Sequence, residues 1–196
     1  MRRWTTTLVL GAAMGLGLVP GAGAQPRVVA GGLTALPPLR LGPNLVQNGG
    51  FETLSGGLPA GWSGGSGWGV DQLVTRAGAF SFRRTAGAGT ASQTVRVAKG
   101  TYRFSAWIKT EGLGTGGTSG VRLQVDLRPT LGQWFTTDVI SGTRDWTLYE
   151  VKNVVVPQDM TVTLKLESYG NPGGTAWFDE VRFAEQLRPP VDVFLL

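Results

Sequence analysis

The sequence predicts an all-β fold, an antiparallel β-sandwich of the jelly-roll type. Short apolar runs alternate with turn-forming stretches, and glycine is abundant, with 31 of the 196 residues. Hydrophobic residues make up 41% of the chain, which is enough for a core. No window shows a sustained 3.6-residue apolar period with helix caps, so we expect almost no helix.

The first 24 residues have the three parts of a secretory signal peptide. Arg2 and Arg3 give the positive start, residues 8–20 are apolar, and small residues precede Gln25, where we place cleavage. This pattern predicts a bacterial-type exported protein that is secreted, periplasmic or on the cell surface. An uncleaved anchor is disfavoured because no longer apolar stretch follows, so we expect no membrane span after cleavage.

The rest of the chain divides into three parts. Residues 25–43 are rich in Pro, Gly and Ala and predict a linker. Residues 44–186 form the predicted jelly roll. Residues 187–196 begin as a linker and end in the apolar hexamer 191–196, which either adds an edge strand to the sandwich or begins a further domain.

Three segments of the predicted jelly roll alternate clearly between apolar and polar residues, as half-buried strands do: residues 101–110, 121–127 and 161–169. Weaker strand candidates follow the same pattern less strictly. They are residues 69–74, 79–84, 92–97, 135–140, 147–156 and 175–183. Nine or ten strands on one core predict two sheets packed face to face.

Composition excludes several kinds of site. The chain has no Cys and no His, which removes disulfides, thiol nucleophiles, imidazole bases and the usual transition-metal ligands. Oxygen ligands remain, and they suit hard cations such as calcium. The net charge of +5 includes two arginines of the signal peptide, and the other basic residues are scattered, so we expect no nucleic-acid partner. We expect a monomer.

Four motifs occur in order along the predicted jelly roll. They are NLVQNGGFE at residues 44–52, PAGW at 59–62, YRFSAWIKT at 102–110 and GGTAWFDEV at 173–181. This ordered set resembles the carbohydrate-binding modules of the family 4/9 (CenC-like) type, which have a galactose-binding-like jelly-roll fold. The resemblance implies non-catalytic binding of a polysaccharide or cell-envelope glycan, as in the targeting part of a glycoside hydrolase. If the hexamer at the C-terminus begins a further domain, we expect the module to target an enzyme.

The same resemblance implies a structural calcium ion. The matching carboxylates are Glu52 and Asp179, with a backbone carbonyl at Gly50 and others in the turn at residues 76–78. Family members often have Asp where this chain has Gly50, so one possible ligand is missing. Each carboxylate stands beside an apolar residue, where an unpaired charge is costly. The alternative is that both pair with arginine, for instance Arg83 or Arg84, across the edge of the sandwich.

A sugar site needs flat aromatic rings beside planar polar groups. Trp107 shares the polar side of its predicted strand with Arg103, and if the neighbouring strands join the same sheet, a polar face with two rings results. The predicted carbohydrate-binding residues are Trp107, Gln124, Tyr169, Arg103, Arg122, Glu167 and Trp134. Trp134 would close one end of this face, and Trp68 is a second candidate for that place. The alternative is that a loop such as residues 111–120 covers Trp107 and that the charged face is only solvated.

The sequence does not predict an enzyme. Asp126, Glu150 and Glu167 are the carboxylates on or near predicted strands, and each has a basic residue close by, so ion pairing explains them. No serine-nucleophile motif or phosphate-binding loop is present. An alternative function is an envelope or matrix scaffold that uses the jelly roll for protein–protein contacts.

Overall fold

The structure is a computed structural model that describes residues 39–85, 89–115 and 118–187. The predicted signal peptide, most of the predicted linker and the apolar hexamer at residues 191–196 lie outside the described residues. The predictions made for those segments therefore stay predictions.

The described residues include twelve strands and one helical turn. In chain order they are β1 (Arg40–Leu41), β2 (Leu54–Ser55), β3 (Leu58–Pro59), β4 (Trp68–Asp71), β5 (Ser81–Arg84), β6 (Gly89–Val97), β7 (Gly100–Glu111), β8 (Gly120–Asp126), α1 (Arg128–Leu131), β9 (Trp134–Thr136), β10 (Arg144–Val156), β11 (Met160–Tyr169) and β12 (Thr175–Leu187). All nine strand segments read from the sequence are present, and the expectation of almost no helix is confirmed. Within the described ranges, no helix has the length and apolar character needed to cross a membrane.

Two antiparallel sheets form the sandwich. The larger sheet has the order β10-β7-β12-β5-β4, with β1 paired to β12, and the four-stranded sheet has the order β6-β11-β8-β9. A short hairpin joins β2 and β3. The last strand, β12, lies between β7 and β5, so pairing joins segments far apart in sequence. This arrangement confirms the predicted antiparallel β-sandwich.

Side chains alternate between the two sides of each strand, and the inward-facing apolar ones fill the core between the sheets. On β8 and β11 the residues facing inward are fully buried, among them Leu123, Val125, Leu164 and Leu166. Full burial of each such side chain stabilises the fold by about 1.5–3 kcal/mol. Their polar neighbours in sequence must therefore face away from the core.

An aromatic cluster closes one end of the core. The Phe82 ring lies 5.3 Å from Phe51 and 5.0 Å from Trp68, measured between centroids. Trp62 packs 5.5 Å from Phe51 and is buried in the same cluster. Trp68 had been a candidate for the wall of a sugar site, and this was wrong, because the ring is buried against Phe82 and Phe178.

The sandwich begins earlier than the sequence predicted. Arg40 and Leu41 were assigned to the linker, but they form β1 and pair with Leu187 and Gln186 at the end of β12. The described sandwich thus includes the last residues of the predicted linker.

Candidate functional site

The outward side of the four-stranded sheet carries most of the predicted sugar-binding residues. Strand pairing places Lys165 opposite Gln124, and Glu167 opposite Arg122. Directly paired residues of antiparallel strands point to the same side of the sheet. We call this surface the polar face, and it consists of Thr94, Arg96, Arg122, Gln124, Asp126, Arg128, Trp134, Thr136, Thr163, Lys165, Glu167 and Tyr169.

Trp107 and Arg103 do not belong to the polar face. Both lie on β7, which is in the larger sheet, so the expectation that one sheet carries the whole set was wrong. Alternation shows which side of its strand a residue occupies, but it does not show which sheet the strand joins. Trp107 is half-buried, and the guanidinium carbon of Arg76 lies 4.4 Å from its ring centroid. Arg103 forms an ion pair with Glu150, with Nη1 and Oε1 3.1 Å apart.

Ion pairs organise the polar face. Oδ2 of Asp126 lies 2.6 Å from Nζ of Lys165 and 2.6 Å from Nη2 of Arg128. Nε of Arg122 lies 2.5 Å from Oε2 of Glu167. Hydrogen bonds from Arg128, and then those from Lys165, hold the pKa of Asp126 well below its usual range, although burial opposes them. Asp126 therefore stays ionised at neutral pH.

Sequence reasoning did not assign a role to Arg128. The residue begins the helical turn α1, and its side chain folds back onto Asp126 two positions earlier through both Nε and Nη2. The sequence did contain a signal for this contact, since an aspartate two residues before an arginine can accept a hydrogen bond from that residue within a turn. The backbone N–H of Arg128 also donates to Oδ1 of Asp126, 3.0 Å away.

Two aromatic rings mark opposite ends of the polar face. Trp134 is 53% exposed and Tyr169 is 40% exposed. Trp134 is level with Thr163, because both residues pair with Asp126. Tyr169 is six residues further along β11, which corresponds to about 20 Å along the strand. Arg122 stacks on the Tyr169 ring at 4.1 Å, and Arg128 lies 5.3 Å from the Trp134 centroid.

Gln124 lies on the floor of the polar face between these rings. The residue is only 3% exposed, since Lys165 and Thr136 flank it on the neighbouring strands. Within the described part of the chain, its amide has no hydrogen-bond partner. The amide nitrogen and oxygen are not among the fully buried unpartnered atoms of the described residues, so they can bond to water or to a polar ligand.

A groove runs along the open side of the sandwich, next to the polar face. Its volume is about 530 Å³, within the range of known ligand pockets. One wall is the segment from Thr136 to Ile140, and the other includes Arg144, Leu148 and Lys152 of β10. Thr136 belongs to both the groove and the polar face, so the two surfaces are continuous.

Glu52 and Asp179, the predicted metal ligands, contact the predicted turn, but the turn contributes backbone N–H groups instead of carbonyl oxygens. Oε1 and Oε2 of Glu52 accept hydrogen bonds from the backbone N–H of Ala79 at 3.1 and 2.9 Å. Oδ2 of Asp179 accepts from the N–H groups of Arg76 and Ala77, at 2.8 and 3.0 Å. The turn therefore presents N–H donors to both carboxylates, whereas calcium would need carbonyl oxygens there.

Backbone N–H groups already bond to both carboxylates, and the predicted calcium ion stays a prediction. Gly50 lies beside Glu52, as expected from the motif. No group of three acidic side chains in the described ranges is placed to hold a metal ion. Burial raises the pKa of Asp179, although the N–H groups of Ala77 and Arg76 oppose that effect. Of the two arginines named in the alternative, Arg83 pairs with Asp71, and Arg84 donates to the Gly173 carbonyl.

The strand carboxylates are held in ion pairs, as predicted. Glu150 contacts both Arg103 and Lys152, at 3.1 and 3.0 Å. Asp126 and Glu167 have the partners described above. Glycoside hydrolysis requires two carboxyl groups free to act as acid and base or nucleophile, and these three carboxylates are all bound to cations.

Comparisons with known proteins show the fold. No protein-family model and no curated protein matches the chain. TmCBM61, solved with β-1,4-galactotriose, is similar over 74% of this chain and 100% of its own length, with 20% identity and a TM-score of 0.55. The CBM22-1 xylan-binding domain of Paenibacillus barcinonensis Xyn10C is similar over 72% and 93%, with 19% identity and a TM-score of 0.50.

An enzyme has the same fold. A cyclase from Fischerella sp. TAU is similar over 78% of this chain and 100% of its own length, with 14% identity and a TM-score of 0.54. At such identities the likeness concerns architecture rather than activity. The chain therefore shares the jelly-roll fold of carbohydrate-binding modules.

Proposed function

We propose that this chain is a non-catalytic module that binds a polysaccharide or cell-envelope glycan on its polar face. The observation that carries the proposal is the placement of the Gln124 amide between the exposed rings of Trp134 and Tyr169, with no hydrogen-bond partner among the described residues. The resemblance to family 4/9 modules and the fold shared with TmCBM61, which was solved with a galactotriose, support it.

The chemistry of the polar face suits a sugar chain. A pyranose has an apolar C–H face that stacks on an aromatic ring, and its edge carries hydroxyls that form hydrogen bonds. Trp134 has an exposed ring at one end of the face, next to a small apolar groove formed with Gly132, Gln133 and Phe135. Gln124 offers both a donor and an acceptor to hydroxyls between the rings.

The carboxylates support a binding role rather than catalysis. Asp126 and Glu167 lie on the polar face, but each is held by a cation at 2.6 Å or less. The low pKa of Asp126 makes it unsuitable as a general acid near neutral pH. We propose, with the predicted signal peptide, that the module acts outside the cytoplasm and that it targets an enzyme to its glycan.

Retention on a panel of insoluble and soluble polysaccharides tests the proposal. We expect Trp134→Ala to weaken binding by about tenfold or more, equivalent to about 1.4 kcal/mol, because it removes an exposed stacking ring. Trp107→Ala is the matched control, since this ring lies on the other sheet beneath Arg76, and we expect wild-type binding from it.

Two results would contradict the proposal. If the Trp134 variant bound as tightly as the wild type, the polar face would not be the site. If no glycan retained the wild-type protein, the envelope-scaffold alternative would replace glycan binding. Product analysis after long incubation with each bound polysaccharide checks the absence of catalysis.

A further inference from the structure

We infer that the glycan bound by the polar face is acidic, carrying carboxylate or sulfate groups. This inference rests on the proposed function and specifies its ligand. The polar face holds four cationic side chains but only two carboxylates, Asp126 and Glu167. The cations are Arg96, Arg122, Arg128 and Lys165.

Both carboxylates of the polar face are already neutralised. Asp126 is shared by two cations, Lys165 and Arg128, each at 2.6 Å. Glu167 is bound by Arg122. Sugar hydroxyls can donate to carboxylate oxygens, but here the protein's own cations already bond to both carboxylates. The face therefore has few acceptors left and a surplus of positive charge.

Two arginines of the polar face, Arg122 and Arg128, have guanidinium N–H groups that their ion pairs do not use. Arg122 uses only Nε in its bond to Glu167, and Arg128 uses Nε and Nη2 on Asp126. In the described part of the chain, the other guanidinium N–H groups of both residues have no protein partner. A planar guanidinium with free N–H groups matches the oxygens of a carboxylate or sulfate. The Arg128 side chain is 48% exposed, so a ligand can reach it.

The cations are also held in place near the two rings. Arg122 stacks on Tyr169 and Arg128 lies over Trp134, so each ring has a guanidinium beside it. A sugar acid that stacks on Trp134 would bring its charged group close to Arg128. Because these guanidinium groups are fixed by ion pairs and rings, binding an anion costs little side-chain entropy.

Matched pairs of polymers separate charge from backbone recognition. We would measure affinity by titration calorimetry for polygalacturonate against its methyl-esterified form, and for carboxymethylcellulose against hydroxyethylcellulose, in about 0.15 M salt. We expect the acidic member of at least one pair to bind at least about tenfold more tightly, with an affinity that falls as salt is raised.

Charge-matched variants test whether the polar face is responsible. Lys165→Gln and Arg128→Gln each leave Asp126 with one cation, and we expect each to weaken binding of the acidic polymer about three- to fivefold, more than binding of its neutral counterpart. Lys109→Gln is the control. It removes a strand lysine paired with an aspartate at 2.8 Å, but on the larger sheet, and we expect no change.

The outcomes distinguish this inference from the proposed function. If neutral polymers bind as tightly as their acidic counterparts, the inference fails and the proposed function stands. If Lys109→Gln weakens acidic binding as much as Lys165→Gln, the attraction is a general charge effect and the inference also fails. If no polymer of either kind binds, both the inference and the proposed function fail.

Discussion

The indole Nε1 of Trp177 donates a hydrogen bond to Oδ2 of Asp71, 3.0 Å away, which connects β12 to β4 across the intervening strand β5. Asp71 also accepts from the backbone N–H groups of Leu73 and Val74 and from Nη1 of Arg83. Both Asp71 and Trp177 are buried. A single carboxylate therefore satisfies four donors at the start of the loop that covers Trp107.

Removing this carboxylate should destabilise the sandwich. We expect Asp71→Ala to cost about 2–4 kcal/mol, because it leaves the buried indole and two backbone N–H groups without their partner, and the part-exposed Arg83 without its ion pair. Asp145→Ala is the control, since Asp145 is exposed, and we expect it to have little effect on the free energy of unfolding. Urea unfolding followed by fluorescence measures both. Equal costs for the two variants would show that the Asp71 network contributes little.

Stability should fall in acid through the carboxylates that have lowered pKa values. Burial acts to raise the pKa of Asp71, but the hydrogen bonds it accepts, first of all from Trp177, outweigh burial and lower it. The pKa of Asp126 is lowered by Arg128. Because both pKa values lie below that of an unfolded aspartate, about 3.9, these groups stabilise the fold above that pH and lose the effect as pH falls further.

A pH series of unfolding free energies checks this expectation. We expect Asp126→Asn to be less stable than the wild type at pH 7 and to lose less stability between about pH 4 and pH 2. Asp138→Asn changes an exposed residue after β9 and serves as the control. If the Asp126 variant had the same acid dependence as the wild type, its ion pairs would not be a source of the pH effect.

Sequence patterns predicted the strands well because alternation is a local property. In β7, Tyr102, Phe104 and Ile108 face the core and Trp107 faces outward, as the period of two requires. Sheet membership is not local. β7 pairs with β10 and β12, whereas β8 pairs with β11 and β9, and this sorting depends on pairing between distant segments. Trp107 and Gln124 therefore could not be assigned to different sheets in advance.

The partner of a side chain can be predicted only where the two residues are close in sequence or lie on strands already known to pair. The ion pair of Arg122 and Glu167 follows from strand neighbours, and so does the one between Lys165 and Asp126. The contact of Arg76 with Trp107 depends on how the loop after β4 folds over the larger sheet, and no periodic pattern specifies that path. The same loop brings N–H groups, instead of carbonyls, to Asp179.

Trp107 should matter for stability rather than for binding. Its half-buried ring packs beneath the Arg76 guanidinium, a cation–π contact that contributes about 0.5–1 kcal/mol at a partly exposed site. We expect Trp107→Ala to lower the free energy of unfolding by about 1–3 kcal/mol, including the lost burial. Thermal melting checks this, with Arg76→Ala expected to cause a smaller loss. A glycan affinity that fell with Trp107→Ala in a folded protein would contradict this role.

The predicted calcium site and the observed N–H contacts lead to opposite expectations for chelation. If the turn at residues 76–80 satisfies Glu52 and Asp179 alone, the melting temperature should be the same in EDTA and in added Ca²⁺, and the structure leads us to expect this. A bound ion would raise the melting temperature by linkage, and the added stability would grow with the logarithm of the ratio of ion concentration to dissociation constant. A fall in EDTA that Ca²⁺ reverses would establish the ion, and Mg²⁺ serves as the control.

A pair of glycine variants measures how tightly the turn and Glu52 fit together. Gly78 has φ of +65°, and a Cβ there would collide with the Glu52 carboxylate. Gly132 has φ of +67° but has no neighbouring atom near the position of a Cβ. Both substitutions to alanine carry the same left-handed backbone cost, about 1–2 kcal/mol. We expect Gly78→Ala to cost a further ~1–3 kcal/mol in urea unfolding, because it displaces the carboxylate from the N–H groups of the turn. Equal losses for the two variants would mean that Glu52 moves aside freely and that its contacts with the turn do not hold the loop.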